Sequence, residues 1–153
     1  MDNDPSSAFA ALAASYCSEM EAGPPTAVEV LGRLVGLVGA ALALPDQSPT
    51  KRQYDDPPHL DAACQQVASN VGRMTGTPDL YWEVFDPREE GEPTVGSLTD
   101  DLTDIYRDLR RGLHIASVGD VVDAAWEWRF SFQIHWGNHA TDAIRVLHRV
   151  VTD

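Results

Sequence analysis

Lysine is almost missing from this chain. Lys51 is its one example, against ten arginines and 24 acidic residues. The formal net charge of −13 excludes a broadly basic face. Phosphate backbones and anionic lipids are bound by Lys and Arg that displace counterions, so neither direct nucleic-acid binding nor membrane binding is expected. Cysteine is scarce as well: Cys17 and Cys64 stand alone, with no CxxC pair. Two isolated thiols build neither a disulfide framework nor a zinc site, and read as buried groups in a reducing compartment. Long apolar runs are missing. The longest, Leu34 to Leu44, is Gly- and Ala-rich and too short to span a bilayer. The opening MDNDPSS is acidic and has no positive signal-peptide region. A soluble, cytoplasmic protein is therefore expected. No phosphate-cradling Gly-rich loop, HExxH motif or nucleophile elbow is found.

What remains is helical periodicity. The length of 153 residues and the 43% hydrophobic content suit one domain, 1–153, with one core. A first helix is predicted from Pro5 to Glu21, capped by Asp4 and ended by Gly23-Pro24-Pro25. A second runs from Thr26 to Leu44, with Val28, Leu31, Leu34, Val35, Val38 and Leu42 as its apolar stripe. Gly32, Gly36 and Gly39 cost this helix roughly 1 kcal/mol each against Ala, and are expected to admit another helix closely. A third runs from Pro58 to Met74, with Leu60, Cys64, Val67, Val71 and Met74 inward. Tyr81 to Phe85 is either extended or one helical turn, and 86–96 is a loop. A fourth helix spans Leu98 to Leu113, capped by Ser97, with Leu98, Leu102, Ile105, Leu109 and Leu113 inward. The last helix runs from Val121 towards Val151 with a possible kink at Gly137. Val121, Ala125, Trp128, Phe132, His139, Ala143, Val146 and Val150 are assigned to one face, and Trp126, Phe130 and Ile144 to a second. The expected fold is all-α, a bundle of about five helices with a long C-terminal helix.

The chemistry-bearing groups gather on two helices. On the last helix, His135 and His139 are one turn apart and Asp142 follows three residues later, so all three project from one side. Two imidazoles and a carboxylate converging on a point would hold a metal ion. On the fourth helix, Asp101, Asp104 and Asp108 lie at i, i+3 and i+7. With the helices antiparallel, this acidic flank could face the histidines and complete a Zn, Mn or Fe site. Arg129 would orient an anionic group. A pocket for a small cation, lined by Trp128 and the aspartates, is a third possibility. The plainer reading is that these groups serve the fold: His139 bonded to an aspartate of the fourth helix, Asp104 and Asp108 paired with Arg107, Arg111 or Arg129. Ser131 and His135 share helical spacing but lack the partners of a catalytic triad.

The runs Leu98-Thr99-Asp100-Asp101-Leu102, Asp104-Ile105-Tyr106-Arg107-Asp108-Leu109, Trp126-Glu127-Trp128-Arg129-Phe130, His135-Trp136-Gly137-Asn138-His139-Ala140 and Ala143-Ile144-Arg145-Val146-Leu147-His148 resemble a bacterial family, domain of unknown function 5063. Tyr81 to Pro87 resembles the middle segment of that family, and the first half of the chain resembles it weakly. The resemblance implies a small helical protein and no particular reaction. Two functions stay open. One is a non-enzymatic interaction or scaffold domain with no cofactor, acting on a protein partner or as a homodimer through the Trp126, Phe130 and Ile144 face. The other is a metal-binding or metal-dependent enzyme with one divalent transition metal.

Overall fold

The computed structural model describes residues 4–153; Met1 to Asn3, part of the acidic opening, lie outside the described residues. Helix α1 spans Pro5–Ala22, and the Asp4 carboxylate accepts from the Ser6 and Ser7 backbone N–H groups. Helix α2 spans Ala27–Leu42 behind a capping box in which Thr26 and Glu29 satisfy each other's backbone donors. Helix α3 spans Leu60–Gly72. An antiparallel hairpin follows, β1 at Leu80–Glu83 and β2 at Thr94–Ser97, with Tyr81 opposite Gly96 and Glu83 opposite Thr94. Helix α4 spans Leu98–Val118. The C-terminal helix comprises α5 at Val121–Ser131, one π turn at Phe132–Trp136, and α6 at Gly137–Thr152.

Helix α4 is the central element, packed by α1, α3, α5 and α6. Its apolar stripe, Leu98, Leu102, Ile105 and Leu109, is fully buried as the periodicity requires. Phe9 of α1 lies between Trp128 and Trp136, with ring centroids 5.0 and 6.0 Å away. The Tyr16 hydroxyl crosses the core to donate to the Leu102 carbonyl at 2.8 Å. Cys17 and Cys64 are free and buried, and burial raises both thiol pKa values. Among the described residues no helix is long and apolar enough to cross a membrane.

Four expectations need correction. Helix α4 continues past Leu113 to Val118, and Gly112 inside it leaves room for the Trp128 indole that a Cβ would strike. The α2 stripe is misphased. Val30, Leu34, Leu37 and Ala41 face inward, whereas Val28, Val35 and Leu42 point outward. Gly32, Gly36 and Gly39 meet nothing within 4 Å, so no other helix of the chain approaches them. The last helix is out of phase with its assigned faces because a π turn precedes Gly137, whose N–H donates to the Phe132 carbonyl five residues back. Phe132 approaches so closely that a Cβ at Gly137 would collide with it. The wide turn rephases everything beyond it. Trp136, Ala140 and Leu147 therefore enter the core; Val121, at the first position of α5 and ahead of the turn, is half exposed.

Candidate functional site

Helices α4 and α6 run antiparallel, since Asp101 meets His139 and Asp108 meets His135. Each imidazole uses Nδ1 on a carboxylate: His135 to Asp108 Oδ2 at 2.7 Å, and His139 to Asp101 Oδ1 at 2.7 Å. An ionised carboxylate only accepts, so Nδ1 carries the hydrogen in both rings. Nε2 is then the remaining nitrogen of each ring. Asp104 lies between these two pairs, its Oδ2 3.5 Å from His139 Nε2. The rings are 4.8 Å apart at 81°. One donor atom from each of Asp104, His135 and His139 lies within 4.8 Å of the others.

The hairpin supplies two members that the sequence reading did not include. Strand alternation turns Leu80 and Trp82 outward and Tyr81 and Glu83 inward. The Tyr81 hydroxyl makes a short bond to Asp101 Oδ2, so Asp101 accepts from His139 and from Tyr81 at once. Gly96 opposite is what lets the phenol lie there; a Cβ at Gly96 would come within 2.6 Å of the Tyr81 ring. Asp79 fastens this hairpin to the start of α4. Its carbonyl accepts from Leu98 N–H at 2.7 Å, and its carboxylate accepts from Thr99 N–H at 2.9 Å. The inward Tyr81 and Glu83 were findable as an i, i+2 pair, but only once 80–83 is known to be a strand.

The electrostatics show a shortage of positive charge. Three carboxylates, Asp101, Asp104 and Asp108, meet two imidazoles, and Asp142 and Glu83 face each other beyond them. The arginines expected to help are engaged elsewhere: Arg107 with Asp61, Arg111 with Asp56 and Glu127, and Arg129 with Asp46. The pairing of Asp104 and Asp108 with arginine is thus replaced by histidine. Protons relieve part of the strain. Burial lifts the Asp108 pKa above its ordinary value despite His135 beside it. Burial first, and then the Glu83 carboxyl, push Asp142 up to about 6. The bond to Asp101 raises His139. Burial and the bond to Asp101 raise the Tyr81 phenol.

The remaining sequence candidates are placed as follows. Asp142 shares a helix side with His135, but seven residues put about 10 Å of axial rise between them. It therefore faces Glu83 and lies outside the His135–His139–Asp104 group. Trp128 is wholly buried, and its indole N–H donates to the Leu109 carbonyl at 3.2 Å. Arg129 points to Asp46, in the connection after α2, at 3.0 Å. Trp126 and Phe130 stack at 4.8 Å; Phe130 stays partly exposed, and Ile144 packs on the core.

With this geometry established, relatives can be compared. A family model described as a domain of unknown function, DUF5063, matches residues 3–153. The chain belongs to the DUF5063 family. The match takes in the first half as well as the helices that carried the resemblance. The fold of this DUF5063 chain is similar to a crystal structure of protein BF1032 from Bacteroides fragilis. The TM-score is 0.74 at 20% identity, over 93% of this chain and 91% of the other. At that identity the likeness shows a shared fold. No curated protein matches the DUF5063 chain.

Proposed function

We propose that the seam between α4 and α6 binds one divalent transition-metal ion through His135, His139 and Asp104. The observation that carries this reading is the arrangement of the imidazoles within a carboxylate excess. A ligating histidine needs one nitrogen bare and the other held, and a carboxylate on Nδ1 is the usual holder. Both rings have it. Three carboxylates against two imidazoles, with the Asp142–Glu83 pair beyond them, leave negative charge that a cation would neutralise more fully than protons do. Donors of one ion with bonds of about 2.0–2.2 Å lie about 3–3.6 Å apart, which the 3.5 Å between His139 Nε2 and Asp104 already meets. His135 needs a modest ring movement to join them. Two nitrogens and an oxygen suit Zn, Mn or Fe. Three protein donors leave a coordination position open to water or a substrate.

The test is metal analysis of untagged protein, followed by titration of the stripped protein with zinc and manganese. About one equivalent is expected, lost in His139→Ala and in Asp104→Asn. Sub-stoichiometric metal that is unchanged in His139→Ala overturns the reading.

A protein-interaction role has its own support in the outward face of the hairpin. Trp82 is 74% and Phe85 98% exposed, with Leu80 and Val95 beside them. Aromatic groups in such a patch favour a protein partner over solvent. A partner that co-purifies with the wild-type chain should be lost in a Trp82→Ser, Phe85→Ser double variant that keeps its metal.

A further inference from the structure

The two histidines of the seam are not held alike. His135 is bound by Asp108, which among the described residues accepts from that ring alone. His139 is bound by Asp101, which accepts a second bond from the Tyr81 hydroxyl. Asp101 is also the deeper acid, its side chain 7% exposed against 16% for Asp108. The rings follow, 27% for His139 against 42% for His135. A buried carboxylate with both oxygens engaged has little freedom to turn, so the ring bonded to it is fixed as well. The second bond comes from the hairpin. A two-stranded hairpin is marginal by itself. This one buries little, since Leu80, Trp82 and Val95 point outward and are more than half exposed. Asp79 attaches its foot to the start of α4 through the Leu98 and Thr99 N–H groups. Further along, Tyr81 bonds Asp101 and packs on the edge of the core. Glu83 meets Asp142, acid on acid, and adds no attraction while both are ionised. Gly96 makes the Tyr81 contact possible. A Cβ there would stand 2.8 Å from the phenol oxygen. The φ of Gly96 is not positive, so the missing side chain is what the position uses.

We infer that the hairpin is the clasp of the metal site: Tyr81, seated by Gly96, is a positioning residue that fixes His139 through Asp101, so that hairpin docking and metal binding strengthen each other. This role rests on the metal reading of the seam. The docked hairpin presents His139 with Nδ1 held and the ring set beside Asp104. An ion then needs only His135 to move, and His135 is the more exposed ring, held by one bond. His139 and Asp104 are thus the preformed half of the site, and His135 is the arriving half. Coupling between two equilibria is reciprocal, so an ion on His139 holds the hairpin down by the same factor by which the docked hairpin raises the affinity for the ion. A marginal hairpin is where such a factor shows, because local opening costs far less than global unfolding. Any event that lifts β1 from α4 loosens the ion and leaves the dry core as it was.

Two single variants of the full chain, their double variant and zinc as the probe test this. Tyr81→Phe keeps the ring and removes the hydroxyl. Gly96→Ala keeps the hydroxyl and displaces it. Both should retain the wild-type helical spectrum. Both should lower zinc affinity roughly 3–10-fold in competition with a chromophoric chelator, less than the loss of Asp101 itself. The double variant should bind no more weakly than the weaker single variant, because both changes act on one bond. The nitrogen-15 shifts of the imidazoles, read in metal-free protein at mildly alkaline pH, separate positioning from general loosening. In both variants His139 should leave its Nδ1–H pattern for the averaged pattern of an unheld ring, while His135 stays as it was. Zinc should slow amide exchange across 80–83 in the wild type and much less in Tyr81→Phe. Unchanged zinc affinity in both single variants, losses that add in the double variant, or His135 shifts that move as far as those of His139 overturn the inference. A wild type that takes up no zinc overturns the metal reading instead, and the metal-free shifts then still decide whether Tyr81 fixes His139.

Discussion

Helix α4 has two flanks, and they are built on opposite principles. One flank, Leu98, Leu102, Ile105 and Leu109, meets α1 and α3 as a dry core. The other, Asp101, Asp104 and Asp108, meets α6 through histidine. The dry flank gains stability from removing apolar area from water, and any close-packed apolar set of the right volume would serve it. The polar flank stabilises much less, because desolvating a carboxylate offsets most of what its partner returns. Three buried or half-buried acids on two imidazoles form a poor device for joining two helices. Hydrophobic residues would do that better. That difference is what makes the polar flank, and not the dry one, the candidate site.

Substitutions on the two flanks should separate stability from binding. The largest effect is expected on the dry side. Trp128→Ala removes a fully buried indole and should cost about 3–5 kcal/mol in chemical denaturation, leaving metal stoichiometry intact in whatever fraction folds. Asp101→Ala on the polar side should cost about 2 kcal/mol, since the histidine it holds is partly solvated. Its larger signature should be a loss of metal affinity of roughly 10–100-fold, as the holder of His139 disappears.

The pH dependence of the metal-free protein sharpens the contrast, because only the polar flank titrates near neutrality. His139 is raised above 6.5, so its pairing contributes fully below that value and is lost as pH rises through the folded pKa. Asp142 is raised to about 6, so the folded state favours its protonated form. That contribution is complete below 3.8 and fades as pH rises through about 6. Asp79 and Asp123 are lowered by hydrogen bonds that they accept, and their contributions vanish on strong acidification. The melting temperature should therefore peak in mildly acidic solution and fall as pH rises through about 6 and then through the raised pKa of His139. Glu83→Gln takes away the charge facing Asp142. It should flatten the alkaline side of this profile, a change of less than about 1 kcal/mol. The smallest effect is expected for Arg129→Ala. Its partner Asp46 is well exposed, so stability should move by about 0.5 kcal/mol or less and metal binding not at all.

The dry flank was readable in the sequence because burial repeats with the helix. Leu98, Leu102, Ile105 and Leu109 can belong to one face only. The histidine–aspartate apposition was readable in outline, since it needs only two periodic helices and an antiparallel guess. Three things were not. The π turn at 132–136 changes the phase of the last helix, and no periodic signal marks an inserted residue. The hairpin residues Tyr81 and Glu83 join the site through strand alternation in a run too short to show a period. The outward set of Val28, Val35 and Leu42 looks like a core stripe, because α2 is apolar on two faces and composition does not say which one the chain covers.

The central claim is that a metal ion, not protons alone, completes the polar flank. Anomalous diffraction from crystals soaked in zinc at mildly alkaline pH tests it most directly. The predicted result is one peak bounded by His135, His139 and Asp104, with both Nδ1 contacts to Asp108 and Asp101 preserved. A seam with no peak there, while zinc is found elsewhere on the same molecule, would contradict it.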